Sequence, residues 1–357
     1  GNGVVLSVPT EERDTGRTET GDSPAPPLVS IVTPCLNPGA RLARCIASVA
    51  AQSYGAVEHI VIDGRSDDGT VERLAAAAGV RWVSEPDRGQ VDAINKGFRM
   101  ATGSMLGWLN ADDVLLPDAV ARVVEAFGRD PRLGLVYGDC RIVEDEGEVL
   151  TWRAPRRLTL PLLEAGSSIP QPGSFVARWA YERIGWLDES FELAMDVDLW
   201  LRLLSAGVEN RSVGGVLSEF ELTPGSKTVT MPRARFFEEN ARAFLNAGNT
   251  RGAALSLGQA AASAATTDGR VDASRLDAEL AKALAAAREW GQTAPERTIR
   301  AAARAEAAVI ELRTSARGLG HLLVLDVWRD RAIRRRIAAA VRRGAPRIAG
   351  RLLRRRA

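Results

Sequence analysis

Histidine is nearly missing from this chain: of 357 residues only His59 and His321 carry an imidazole. His59 falls in a predicted strand and His321 in an apolar helical stretch, and both read as structural. A Ser-His-Asp hydrolase or a His-ligated metal enzyme has little to work with here. Cysteine is also scarce. Cys35, Cys45 and Cys140 are an odd, widely spaced set with no CxxC pair. That argues against a disulfide framework and a structural zinc site, and for a reducing compartment. No apolar run approaches the roughly 18 to 20 residues of a membrane span. The first residues lack a basic stretch followed by an apolar one, so no secretory signal is visible.

What is present is the composition of a globular protein, 45% hydrophobic and 26% charged. The length suffices for one large domain and an appendage. Charge is uneven. Residues 330–357 hold eleven arginines against one aspartate, so with a formal net charge of +2 the remainder is mildly acidic. The tail suits a solvated end or a peripheral contact with an anionic bilayer at the inner membrane face. It lacks the aromatic interleaving of a nucleic-acid site, and no nucleic-acid partner is expected. The expected compartment is cytoplasmic.

Residues 1–27, rich in Thr, Glu, Asp, Gly and Pro, read as a disordered arm. From residue 28 short apolar runs alternate with amphipathic ones. Strands are predicted over 28–34, 59–62, 80–83, 105–109 and 134–137. Helices are predicted over 40–51, 70–78, 90–101 and 117–127. That rhythm predicts an α/β fold with an open, mostly parallel sheet flanked by helices. In such sheets ligands sit outside the carboxyl ends of the strands. Here those ends are Thr33-Pro34, Asp63-Gly64, Glu85 to Arg88, and Asn110 to Asp113. The last is the key stretch. Two adjacent carboxylates at the end of a buried strand are costly unless a positive charge compensates them. A divalent cation carrying a diphosphate would do so, and a helix N-terminal acidic cap is the plainer reading.

Beyond 139 the pattern loosens. Residues 141–152 suggest a hairpin, 171–176 a loop entering a strand, and 179–184 and 196–206 helices. Another helix starts at residue 232. From 249 the composition turns to Ala, Arg, Glu and Leu, with helices predicted over 252–265, 274–290 and 295–316.

Five motifs stand in order: Val32-Thr33-Pro34 with Asn37; Val61 through Asp63-Gly64-Arg65-Ser66 to Thr70; Ser84-Glu85-Pro86-Asp87-Arg88-Gly89-Gln90 through Asp92 to Asn95-Lys96-Gly97; Leu109-Asn110-Ala111-Asp112-Asp113; and Met195-Asp196-Val197-Asp198-Leu199-Trp200 to Leu203. Together they resemble the family 2 glycosyltransferases of GT-A fold, over residues 28 to about 235, roughly three fifths of the chain. The expected division is a disordered arm over 1–27 and a GT-A domain over 28–248. That domain has a nucleotide-sugar half over 28–139 and an acceptor half over 140–248. A helical appendage over 249–329 and the arginine-rich tail follow.

The resemblance implies an inverting sugar transferase that uses a nucleotide-sugar donor, most simply a UDP-sugar. The acceptor would be a glycan or lipid-linked hydroxyl in cell-surface polysaccharide or glycoconjugate synthesis, and the cofactor Mn²⁺ or Mg²⁺. It implies that backbone at Thr33 and Pro34 faces the base, with Asn37 nearby. Asp63 would accept from a uracil N–H, although a turn aspartate before Gly64 is the plainer reading. Asp67 and Asp68 read as caps. Arg88 would contact the diphosphate or gate the site, or form a surface ion pair. Asp92 and Lys96 lie near the donor in the family, though an i,i+4 ion pair also explains them. The turn departs from a plain Asp-x-Asp triplet, with Asn110 in first place. Asp112 is expected to face the ribose and Asp113 to ligate the metal. Asp196 is the expected general base, with Met195 where the family usually has Glu. Acceptor candidates are Gln171, Pro172, Gly173, Asp198 and Trp200, the last two also explicable as an Arg202 partner and a core residue. Two rivals remain: a non-catalytic nucleotide-sugar-binding scaffold, and a nucleotidyltransferase. The retained Asp63, Asp112, Asp113 and Asp196 oppose the first. The second is opposed by the loop Cys35 to Gly39, which has no nearby Lys.

Overall fold

The computed structural model describes residues 25–144, 147–166, 168–223, 225–267, 270–289 and 296–315. The arginine-rich tail and nearly all of the N-terminal arm lie outside them.

Strand β1 (Val29–Cys35) is buried along its whole length. A parallel strand covered on both faces needs such a continuous apolar run. It pairs in parallel with β2 (Val57–Asp63) on one side and β4 (Met105–Trp108) on the other. β3 (Val80–Ser84) extends the sheet beyond β2. Helices α1 (Arg41–Ala50), α2 (Thr70–Ala76) and α3 (Gln90–Met100) connect these strands. Period-two alternation sorts β1 between two cores: Val32 packs with Ile94, Phe98 and Leu106, while Val29 and Ile31 pack with Cys45 and Val49. α3 sits against β1 because position 97 is glycine; a Cβ there would stand 2.3 Å from Val32 Cγ1.

β5 (Val114–Leu115) and α4 (Ala119–Arg129) follow, then β6 (Leu133–Glu144), β7 (Gly147–Trp152), α5 (Leu160–Glu164), β8 (Ser174–Ala177), α6 (Arg178–Ile184), α7 (Met195–Ser205) and β9 (Glu209–Glu221). The main sheet runs β3-β2-β1-β4-β8-β6-β9-β5, with β7 paired to β6. Strands β1 to β4 are all parallel to one another. β8 enters antiparallel between β4 and β6, so the second half is mixed. β6 and β9 are parallel to each other, and their carboxyl ends open on the same edge as those of β1 to β4.

The sequence pattern predicted nothing at β9, although it spans 13 residues. Its residues Gly214 and Gly215 both have positive φ, and its register with β6 shifts repeatedly. A bulged strand containing two glycines loses the alternation by which strands are recognised.

After β9 come α8 (Lys227–Thr230), α9 (Arg233–Asn246), α10 (Thr250–Ala264), a small hairpin of β10 (Thr266–Thr267) and β11 (Arg270–Val271), α11 (Ala273–Glu289) and α12 (Glu296–Ser315). α9 faces two ways. Ala243 and Phe244 join the core under the sheet, while Ala241 joins Leu257, Leu280 and Ile299 in a separate helical core. α10 and α12 meet at Gly258, where an added Cβ would lie 2.3 Å from the Ile299 carbonyl oxygen. Gly258→Ala gains helix propensity of about 1 kcal/mol. The backbone contact outweighs it, and a net loss of about 1–3 kcal/mol is expected. Urea unfolding measures it; an unchanged or higher midpoint would contradict this packing. Among the described residues no helix is long and apolar enough to cross a membrane.

Candidate functional site

The acidic turn closes at the end of β4. Leu109 N–H donates to the Val32 carbonyl at 2.9 Å, and Asp113 N–H to the Asn110 carbonyl at 3.0 Å. Asn110 is the hub. Its Oδ1 accepts from Gln90 Nε2 at 2.8 Å and its Nδ2 donates to Asp113 Oδ2 at 3.1 Å. Gln171 Nε2 donates to the Trp108 carbonyl at 2.7 Å, which joins the loop before β8 to the same turn. Of the expected acceptor stretch only Gln171 reaches this edge. Pro172 and Gly173 are buried, with Gly173 packed against Ser218 of β9.

The two carboxylates differ in their burial. Asp113 has no exposed surface, and its Oδ1 has no hydrogen-bond partner. It points inward. The Cys45 and Cys140 thiols are each pushed up to about 12, first by burial and in part by its charge. Asp113's own pKa is raised well above the usual carboxylate range, chiefly by burial and next by Asp112. Asp112 stays partly exposed at the edge, its pKa raised by burial and by Glu221 and lowered by Arg41. Asp112 is thus the more accessible of the two carboxylates.

Glu221, Arg41 and Arg44 belong beside this turn and were not foreseen. Glu221 ends β9 and is held by Arg41 at 3.1 Å and Arg44 at 2.6 Å. It also lines a cleft of about 330 Å³ with Arg44, Val143, Glu144, Gly147 and Glu219. No local motif marks Glu221, because the strand that delivers it was invisible in the sequence.

At the ends of β1 and β2 the side chains are engaged within the protein. Asp63 is fully buried and satisfied from within: it accepts from Ser66 N–H and Oγ, from Ser84 Oγ at 2.6 Å, and from the Cys35 thiol at 3.7 Å. These contacts fit a turn aspartate before Gly64. The Thr33 hydroxyl lies 2.9 Å from His59 Nε2 in the interior and Pro34 is buried, which bears on their side chains and not on the backbone groups expected to face a base. Asn37 has a positive φ of 50° and staples the two loops together. Its N–H donates to Ser66 Oγ at 2.7 Å, and its Oδ1 accepts from Asp67 N–H at 2.9 Å. Asp68 caps α2 through Thr70 N–H, as expected. What faces out here is Leu36, 63% exposed, with Asp87 close by. Gly64 makes room for Asp87, whose Oδ2 would be 2.6 Å from a Cβ at that position.

The 85–97 motif resolves into scaffold and one exposed cation. Asp92 is buried and accepts from Arg88 N–H at 3.0 Å, with Lys96 at 3.3 Å. Lys96 also meets Glu85 at 2.9 Å. Burial acts to raise the Asp92 pKa, but the Arg88 N–H and Lys96 hold it below the usual range. These contacts tie Asp92 and Lys96 together as the i,i+4 ion pair. Arg88 remains exposed. Its guanidinium bridges Asp92 at 3.0 Å and Glu189 at 2.6 Å, and so links the donor-side loop to the segment before α7.

α7 packs on β4 through Trp200, which stacks on Trp108 with ring centroids 6.5 Å apart. Asp196 lies four residues earlier, on the same helix face. It is half-buried, and burial pushes its pKa up to about 6, opposed by the Val197 N–H at 2.8 Å. Trp200 has no exposed surface, and Asp198 is buried in an ion pair with Arg202 at 2.8 Å. Trp200 thus sits as a core residue and Asp198 as the partner of Arg202. The candidates left with accessible surface are half-buried Asp196 with its raised pKa, partly exposed Asp112 on the polar turn, and exposed Arg88.

The model of the family described as Glycosyl transferase family 2 matches residues 30–179. An uncharacterized glycosyltransferase of Mycobacterium tuberculosis is 37% identical over 204 residues, covering 55% of this chain and 76% of that protein. A chondroitin synthase of Escherichia coli is 30% identical over 208 residues, covering 56% of this chain but only 30% of that longer protein. Residues 1–349 of Staphylococcus aureus TarS, solved with UDP-GlcNAc, superpose with a TM-score of 0.55 at 14% identity, covering 89% of this chain and 92% of that one. At that identity the superposition bears on fold alone.

Proposed function

The chain belongs to glycosyl transferase family 2 and is a transferase of glycosyl groups, and from that premise we propose an inverting enzyme that draws on a UDP-sugar and glycosylates a hydroxyl of a glycan or lipid-linked acceptor. The observation that carries the reading is Asp196. A carboxylate half-buried on the helix face turned to β4, with a pKa near 6, is tuned to accept a proton near neutral pH. Asp196 takes the proton of the acceptor hydroxyl as its oxygen attacks the anomeric carbon. The nucleoside diphosphate departs from the opposite face, and configuration inverts. The relationship to a chondroitin synthase supports a role in polysaccharide or glycoconjugate assembly. The eleven arginines of 330–357 suit an anionic bilayer, where a lipid-linked acceptor resides.

The turn fits a divalent ion. Burial raises the pKa of both Asp112 and Asp113, and Arg41 is the cation that offsets Asp112. Among the described residues there is no cluster of three or more His, Cys, Asp or Glu ligands. Asp112 would therefore hold Mn²⁺ or Mg²⁺ together with donor phosphates and water, the usual economy of such ions. When bound, the ion supplies charge stabilisation for the departing diphosphate. Asn110 and Gln171 orient the turn, and Arg88 offers its exposed guanidinium to the same phosphates.

A thermal-shift panel of UDP-, GDP- and dTDP-sugars with and without Mn²⁺ tests the donor reading. A UDP-sugar at about 100 times its Kd adds about 2.7 kcal/mol, a shift of several degrees. The shift should require Mn²⁺. No shift with any sugar nucleotide would overturn the donor site, and a shift with GDP-sugars alone would overturn the choice of nucleotide.

A further inference from the structure

The geometry points to Glu239 of α9 as the positioning residue for Asp196. One oxygen of Glu239, Oε2, accepts three successive backbone N–H groups: Glu192 at 3.0 Å, Leu193 at 2.8 Å and Ala194 at 3.0 Å. Ala194 is the N-cap of α7 and supplies no side-chain cap of its own. Three consecutive amides converging on one point form a concave anion-binding nest. The nest lies at the positive end of the helix, where a carboxylate is favoured. The next two residues are Met195 and Asp196.

The rest of α9 supports the same grip. Arg242 donates to the Ser190 carbonyl at 2.6 Å and lies over the buried Phe191 ring at 4.3 Å. Arg235 pairs with the Glu192 carboxylate at 3.0 Å. Residues 190–194 are thus tied to α9 along their length, with Glu239 nearest the helix start. Charge-assisted hydrogen bonds are roughly twice as strong as neutral ones. Their removal frees the peptide that sets where α7 begins, and with it the angle at which Asp196 is presented. Glu239 lies beyond the residues matched by the family model, and no motif marks it. Its importance for transfer rests on the assignment of Asp196 as base; its hold on the loop does not.

Two measurements on the full chain test this without substrate. Amide hydrogen exchange at 192–194 should be slow in the wild type. It should be on the order of 100-fold faster in Glu239→Ala, and intermediate in Glu239→Gln, whose neutral oxygen still accepts. The ¹³Cγ titration of Asp196, assigned with Asp196→Asn, should fall from about 6 in the wild type. In Glu239→Ala it should approach the ordinary value of about 4 as the loosened loop lets water in, with recovery in Glu239→Gln. A general loss of packing would not be rescued by the amide. Unchanged exchange and titration in Glu239→Ala overturn the proposal. Should Glu239→Ala not fold, the isosteric Glu239→Gln decides by itself: no acceleration at 192–194 sinks the idea. If Asp196→Asn keeps its turnover, the base assignment fails while the exchange result stands.

Discussion

Asp196→Asn is expected to bind donor normally and to lose about 10²- to 10⁴-fold in transfer, the usual contribution of a general base. The amide matches the carboxylate in shape and cannot take a proton, so the loss should fall on kcat with little change in donor KM. The wild-type rate should fall as pH drops through about 6, because burial raises the Asp196 pKa to that value and only the ionised form accepts the acceptor's proton. The sign is that of a base: active above its pKa and silent below. The variant should lack that acid limb. Wild-type turnover in Asp196→Asn would move the base elsewhere.

The second large effect separates the adjacent carboxylates. Asp112→Ala should abolish Mn²⁺-dependent UDP affinity in calorimetry, a loss of at least tenfold, or about 1.4 kcal/mol. Asp113→Asn should keep most of it, since Asp113 is sealed from solvent and bonded to Asn110. Asp113→Ala should instead show as lost stability of about 1–3 kcal/mol, because Asn110 Nδ2 loses a partner. Unchanged affinity in Asp112→Ala, with loss in Asp113→Asn, would restore the order first expected from the sequence.

The unequal burial of Asp112 and Asp113 shows what a sequence conceals. Side chains of neighbouring turn residues diverge, and nothing in Asn-Ala-Asp-Asp says which one faces the interior. The choice is made by what packs around the turn: Cys45 of α1, Cys140 of β6, and the end of β9. The same holds for Asp63 and Asp92. Their positions at strand and helix ends were legible, while the hydrogen bonds that satisfy them come from Ser66, Ser84, Arg88 and Lys96 and depend on loop geometry.

The sequence by itself determined the alternation of β1 to β4 with α1 to α3, the polar motifs at the carboxyl ends of those strands, and the family. Buried parallel strands are continuous apolar runs, and their polar ends are confined to short motifs, so local pattern suffices. It also placed Asp196 at the start of its helix. Only the tertiary structure decided that β9 exists, that it brings Glu221 beside Asp112, and that Glu239 reaches from α9 to the amides before Asp196. These are contacts between segments far apart in the chain. They depend on bulges, burial and helix docking, whose energies arise only once the sheet has closed around them.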